Sequence, residues 1–118
     1  MREITDEQFE ELVERGIAQI PDELLDLLDN VAIVVEHDPP EDVEPGTLGL
    51  YEGTPLTERD DAWAAGALPD RISIYQNPLL EMCETAEELV EEVAITVIHE
   101  IAHHFGIDDD ALHDLGWA

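Results

Sequence analysis

The segment Thr85–Gly106, "TAEELVEEVAITVIHEIAHHFG", constrains this chain more than any other. Thr85 followed three residues later by Glu88 is a capping box, and Gly106 is a terminator. The spacing between them predicts one helix of about 20 residues, some 30 Å long. From Val93 to Phe105 the helix is apolar on nearly every side. A surface helix carries a single apolar stripe, so this one is expected to cross the centre of the domain.

Size limits what can surround it. The chain has 118 residues, which predicts one domain over 1–118 that buries roughly two-thirds of its unfolded surface. Aromatic residues make up only 5%, so the core must be built mainly from Leu, Ile, Val and Ala.

The remaining elements are shorter. "TDEQFEELVERGIAQI" reads as a helix with Thr5 and Gln8 as its capping box, and with Phe9, Leu12, Val13, Gly16 and Ile17 on one face. "PDELLDLLDN" reads as a second, short helix with Pro21 in its first turn. "VAIVVE", Val31 to Glu36, is rich in β-branched residues and reads as a strand. A short strand is expected around Leu48 to Tyr51 within "GTLGLYEGTPL", bounded by Gly46 and Gly53, and a third in "RISIYQ", where Ile72 and Ile74 alternate with Ser73 and Tyr75. "NPLLEMC" reads as a turn and connector, Glu41 to Asp70 as a loop-rich candidate lid, and Asp109 to Leu115 as a last short helix.

Charge narrows the partners. Thirty-one acidic residues face four arginines and no lysine, a formal net charge of -27. Such a chain repels nucleic-acid phosphates and anionic membrane surfaces, and it attracts metal cations and basic segments. The acid is spread along the chain, as a solvated surface would be. Cys83 stands alone, so no internal disulfide forms. "MREITDEQFEEL" is acidic and amphipathic, unlike a signal peptide, and no apolar run approaches the roughly 20 residues of a membrane span. The expectation is a soluble, cytoplasmic protein.

Four of the five histidines fall between Val97 and Gly116. His99 and His103, four residues apart, share a helix face where both imidazoles can reach one metal ion. Glu100 sits beside them, placed to reach a metal-bound water without ligating the metal. This is the H-E-x-x-H pattern, His99-Glu100-Ile101-Ala102-His103, and enclosed histidines need partners. A catalytic zinc site takes three protein ligands and a water. A residue six beyond His103 would lie about 9 Å further along a continuous helix, out of reach. Gly106 lets the chain turn back, bringing up Asp108, Asp109 and Asp110. Any of the three can also cap the last helix or fill its acidic first turn.

The full spacing reads H-E-x-x-H-x-x-G-x-x-D, ending at Asp109. It resembles the extended motif of the metzincin clan, with aspartate where the third histidine usually stands. It is still more similar to a family of small bacterial zincin-like metallopeptidases, through "GLYEG", "ISIYQNPLL" and "HEIAHHFGIDDDALHDLG". The resemblance implies a minimal α+β zincin-like fold, a small β-sheet packed on a central active-site helix with additional N-terminal and C-terminal helices. It implies His99, His103 and Asp109 as ligands of one zinc ion. The chain departs from metzincins proper in having no methionine after Asp109.

The expected function is hydrolysis of peptide bonds by a metal-activated water, with Glu100 as general base, on a peptide or flexible protein segment. The alternative is a metal-stabilised binding module without significant turnover, which would not need the base at Glu100. "RISIYQ" is placed in the chain order of the strand along whose edge a zincin substrate pairs, with a plain structural strand as an equal alternative. Tyr75 or Tyr51 could offer a hydroxyl to an oxyanion, with packing as the plainer role for each. His104 points about 100° from His103 and falls outside the ligand set. His113, four residues after Asp109, is a candidate neighbour of the site or a half-exposed structural residue. His37 is expected at the surface and Cys83 in the interior.

Overall fold

The computed structural model describes residues 4–28, 31–53 and 70–114. Helix α1, Asp6–Ile17, starts at a complete capping box: Thr5 Oγ1 accepts from Gln8 N at 3.1 Å, and Thr5 N donates to Gln8 Oε1 at 2.9 Å. Its buried face is Phe9, Leu12, Val13 and Gly16. Helix α2, Asp22–Leu25, follows and tightens into a 3-10 turn over Asp26–Leu28. Strands β1 (Val31–Glu36), β2 (Gly49–Glu52) and β3 (Asp70–Tyr75) lead to helices α3 (Gln76–Met82), α4 (Ala86–Phe105) and α5 (Asp109–Asp114). The architecture is the expected small α+β fold. Residues 54–69, the larger part of the expected lid, lie outside the described residues.

Helix α4 is the long helix expected from the sequence. Thr85 Oγ1 accepts from Glu88 N at 3.1 Å. Only this half of the box forms, because the Glu88 carboxylate meets the Thr85 hydroxyl at 3.5 Å and not the Thr85 backbone N–H. Val93, Ala94, Val97, Ile98 and Ile101 have no solvent exposure. Each such aliphatic side chain larger than alanine contributes roughly 1.5–3 kcal/mol by leaving water. Enclosure ends at the last turns, where His99, His103 and His104 are exposed and Phe105 is 41% exposed. The expectation of enclosed histidines is corrected: α4 crosses the core and then emerges.

"NPLLEMC" is not a connector; it forms most of α3. Pro78 lies in the first turn of that helix, where backbone N–H groups have no intrahelical acceptor and none is lost. Asn77 N donates to His37 O at 2.9 Å and Asn77 Nδ2 to Asp38 Oδ1 at 3.0 Å, which anchors the start of α3 to the end of β1.

The sheet order is β1-β3-β2, with β1 parallel and β2 antiparallel to β3. "RISIYQ" therefore forms the central strand, paired on both sides. Its backbone has no edge to offer, which excludes the substrate-pairing reading and leaves a plain structural strand. The edge beside α4 belongs to β2. Tyr75 N donates to Leu48 O at 3.0 Å, and the register sets Gly49 opposite Ile74 and Tyr51 opposite Ile72. Alternation along an antiparallel ladder then turns the N–H and C=O of Gly49 and Tyr51 away from β3, toward the outer edge.

Two glycines permit close packing onto α4. A Cβ on Gly16 would lie 2.8 Å from Val90 O and 2.9 Å from Val93 Cβ, so α1 sits tightly on the helix. A Cβ on Gly49 would lie 2.7 Å from Thr96 Cγ2, so β2 does the same. Ile72 and Ile74 face α4 with Gly49 and Tyr51, while Ser73 and Tyr75 face the opposite side of the sheet.

Candidate metal centre

Helix periodicity sorts the last turns of α4 into two rows. His99 and His103 form one, and Thr96, Glu100 and His104 form the next, about 100° round the axis. The first row opens on a cleft of about 180 Å³ lined by His99, Ala102, His103, Ile107 and Leu112. Both imidazoles are exposed, and neither makes a hydrogen bond among the described residues.

The second row faces strand β2. Tyr51 N donates to Glu100 Oε1 at 2.8 Å, across 49 positions of sequence. The bond uses the outward-facing N–H of the edge strand. Glu100 Oε2 makes no hydrogen bond among the described residues. The His104 ring stacks on Tyr51, centroids 3.8 Å apart and planes within 15°, which turns it away from His103 and supports leaving it out of the ligand set.

The chain leaves α4 through Gly106, at φ 69 and ψ 30, and Ile107 N donates to Ala102 O at 2.9 Å. The left-handed conformation is open to glycine at no steric cost and reverses the direction of the chain. Helix α5 folds back far enough for Leu112 to line the same cleft as the two histidines. Among the three aspartates, Asp108 caps α5: its Oδ1 accepts from Ala111 N at 2.9 Å. Asp110 is exposed on α5. The backbone of Asp109 opens α5, and its side chain lies outside what the structure describes. Among the described residues no three His, Cys, Asp or Glu side chains group to hold a metal. The two that do share the cleft are nitrogen donors one helical turn apart with no competing partner, and that donor pair fits zinc.

Other candidates fall away from the cleft. Tyr51 OH donates to Asp70 Oδ2 at 2.8 Å, so this hydroxyl is engaged and is not aimed at a substrate. Tyr75 is wholly buried on the sheet face away from α4, and burial pushes its hydroxyl pKa up. His37 is exposed and meets Asp6 Oδ2 at 3.2 Å. His113 is exposed on α5. Cys83 is buried, and burial raises its thiol pKa, which suits a packing role.

Sequence reasoning missed the backbone N–H of Tyr51 and the contact of Gly49 with Thr96. One signal was present, because a glycine inside a strand pattern marks a close approach of another element.

A model of the zincin-like metallopeptidase family matches residues 28–117. Among solved structures, the chain is similar to a conserved hypothetical protein from Thermo thermophilus. The identity is 30% and the TM-score 0.55, over 86% of this chain and 94% of that one. No curated protein matches it. Among the described residues no helix is long and apolar enough to cross a membrane. By the family match, across most of its length, this chain belongs to the zincin-like metallopeptidases.

Proposed function

We propose that the protein is a zinc-dependent peptidase acting on peptides or flexible protein segments. His99, His103 and Asp109 would hold one zinc ion, with Glu100 as general base. The observation that carries this reading is the division of labour on α4. Two unbonded imidazoles open on one cleft, while the neighbouring carboxylate is gripped by one oxygen and has the other unbonded among the described residues. Zinc in such a site supplies a Lewis acid that acidifies water and polarises a carbonyl.

The chain's own groups supply the rest. An extended peptide would add to the outer edge of β2 through the outward backbone groups of Gly49 and the Tyr51 carbonyl, the Tyr51 N–H being held by Glu100. That addition sets the scissile bond against the cleft beside His99 and His103. Glu100 Oε2 takes a proton from the attacking water and delivers it to the leaving amine, while Oε1 stays on the strand. As third ligand, the Asp109 carboxylate would leave such a site less positive than a third imidazole would.

The test is Glu100→Gln, assayed on a library of quenched fluorescent peptides with zinc content measured in parallel. The reading predicts unchanged zinc and loss of hydrolysis by about 10²–10⁴-fold, the range for a general base. Hydrolysis that survives the substitution would remove Glu100 from the mechanism. A wild-type protein that binds zinc and cleaves no peptide would favour a binding module.

A further inference from the structure

The row Thr96, Glu100 and His104 carries no proposed metal ligand, yet each of its members meets strand β2. Thr96 receives Gly49, Glu100 receives the Tyr51 N–H, and His104 receives the Tyr51 ring. Tyr51 therefore touches α4 twice, through its backbone and through its side chain. Its hydroxyl makes a third attachment, to Asp70 Oδ2 at 2.8 Å at the start of β3. Phe105 stands edge-on to the same ring at 6.2 Å. The chain at Gly53 passes close by, where a Cβ would come within 3.5 Å of His104 Cε1 and 3.6 Å of Asp70 Oδ1.

Resting on the peptidase reading above, we propose that Tyr51 is a positioning residue that holds the Glu100 carboxylate. A glutamate near the mouth of a cleft has three rotatable bonds, and a free one spends little time in any single orientation. The Tyr51 N–H fixes Oε1 and so fixes the direction of Oε2. That grip is only as firm as β2, which has four residues and, among the described residues, a ladder on one side only. The ring supplies the missing constraint. Stacking on His104 sets the height of β2 along α4, and the bond to Asp70 sets the ring's far end against β3. Phenylalanine would keep the stack and lose the anchor, and leucine would lose both. His104 then has a role without ligating metal: it is the platform against which the strand is registered.

The test combines amide hydrogen exchange with kinetics on the full-length, zinc-loaded chain. An outward-facing edge N–H exchanges readily unless something accepts it. The amide at position 51 is expected to be protected in the wild type, and to lose protection by about tenfold or more in Glu100→Ala, the worth of a hydrogen bond to a charged group. His104→Ala and Tyr51→Leu are expected to lower protection in the same direction, with Tyr51→Phe closer to the wild type. On a quenched peptide that the wild type cleaves, His104→Ala and Tyr51→Leu should lower kcat by about ten- to a hundredfold, as misplacement of a reacting group does. Zinc content should stay the same, and Tyr51→Phe should recover part of the loss. Equal protection at position 51 in the wild type, Glu100→Ala and His104→Ala would overturn the proposal. So would an unchanged kcat in both His104→Ala and Tyr51→Leu. If the wild type cleaves no peptide, the peptidase reading falls, and the exchange pattern alone decides whether Tyr51 holds Glu100.

Discussion

Replacing Gly49 with alanine should separate β2 from the helix that carries the site. The added Cβ would stand 2.7 Å from Thr96 Cγ2 and 3.0 Å from Ser73 O. Carbon atoms prefer about 3.5–4.0 Å, so the methyl is roughly 1 Å too close to Thr96. Neither neighbour gives way easily. Ser73 O belongs to the central strand, and Thr96 is 8% exposed, β-branched and stiff about χ1. Overpacking of this kind costs about 1–3 kcal/mol. Alanine in place of glycine returns about 0.5–1 kcal/mol through the unfolded chain. The steric term wins, and a net loss of about 1–2 kcal/mol is expected. In urea denaturation the midpoint should fall with an unchanged slope. Thr96→Ser deletes the clashing methyl, so the double variant should be more stable than the sum of the singles by at least about 0.5 kcal/mol. A midpoint equal to or above the wild type, or a purely additive double variant, would refute the close packing of β2 on α4.

Gly16→Ala sets the same two effects against each other in a helix. Its Cβ would meet Val90 O at 2.8 Å, and a backbone atom has no rotamer to yield, so an overpacking cost of about 1–3 kcal/mol less a gain of about 1 kcal/mol in helix propensity leaves a net loss of up to about 2 kcal/mol. Asp108→Ala removes the cap of α5 and should cost about 0.5–2 kcal/mol by urea denaturation. Asp6 is held below its ordinary carboxyl pKa of 3.8 by hydrogen bonds from Gln76 and then His37. Its contribution to stability is therefore fully present above pH 3.8 and is lost as pH falls through the lower folded value. Asp6→Asn should flatten the acid limb of a stability–pH curve and leave the neutral region parallel to the wild type.

The parts of this fold legible in the sequence are those set by neighbours in the chain. Thr5 with Gln8 and Thr85 with Glu88 marked two helix starts, Gly106 marked a stop, β-branched residues marked β1, flanking glycines β2, and alternating apolar residues β3. The pairing of His99 with His103 followed from helical geometry alone, as did the turning of His104 away from them. Long-range order was not legible. Alternation in "RISIYQ" identifies a strand but says nothing of its neighbours, so its central place could not be read, and the edge fell to β2 instead. Asn77-Pro78 resembles a turn, yet proline in a first helical turn sacrifices no bond, and α3 formed across it. The bond from Tyr51 N to Glu100 spans 49 positions and depends on that sheet order, so no local pattern announces it. The three aspartates separated only with coordinates, where Asp108 took the cap.

The proposed peptidase activity requires His99 and His103 to hold a metal with Asp109. Zinc content after metal depletion and reconstitution, measured by mass spectrometry on the wild type and on His103→Ala, Asp109→Ala and Asp108→Ala, addresses that claim directly. The expected result is one zinc per chain in the wild type and in Asp108→Ala, and none retained through dialysis in the other two. Stoichiometric zinc in His103→Ala would contradict the ligand assignment and the function built on it.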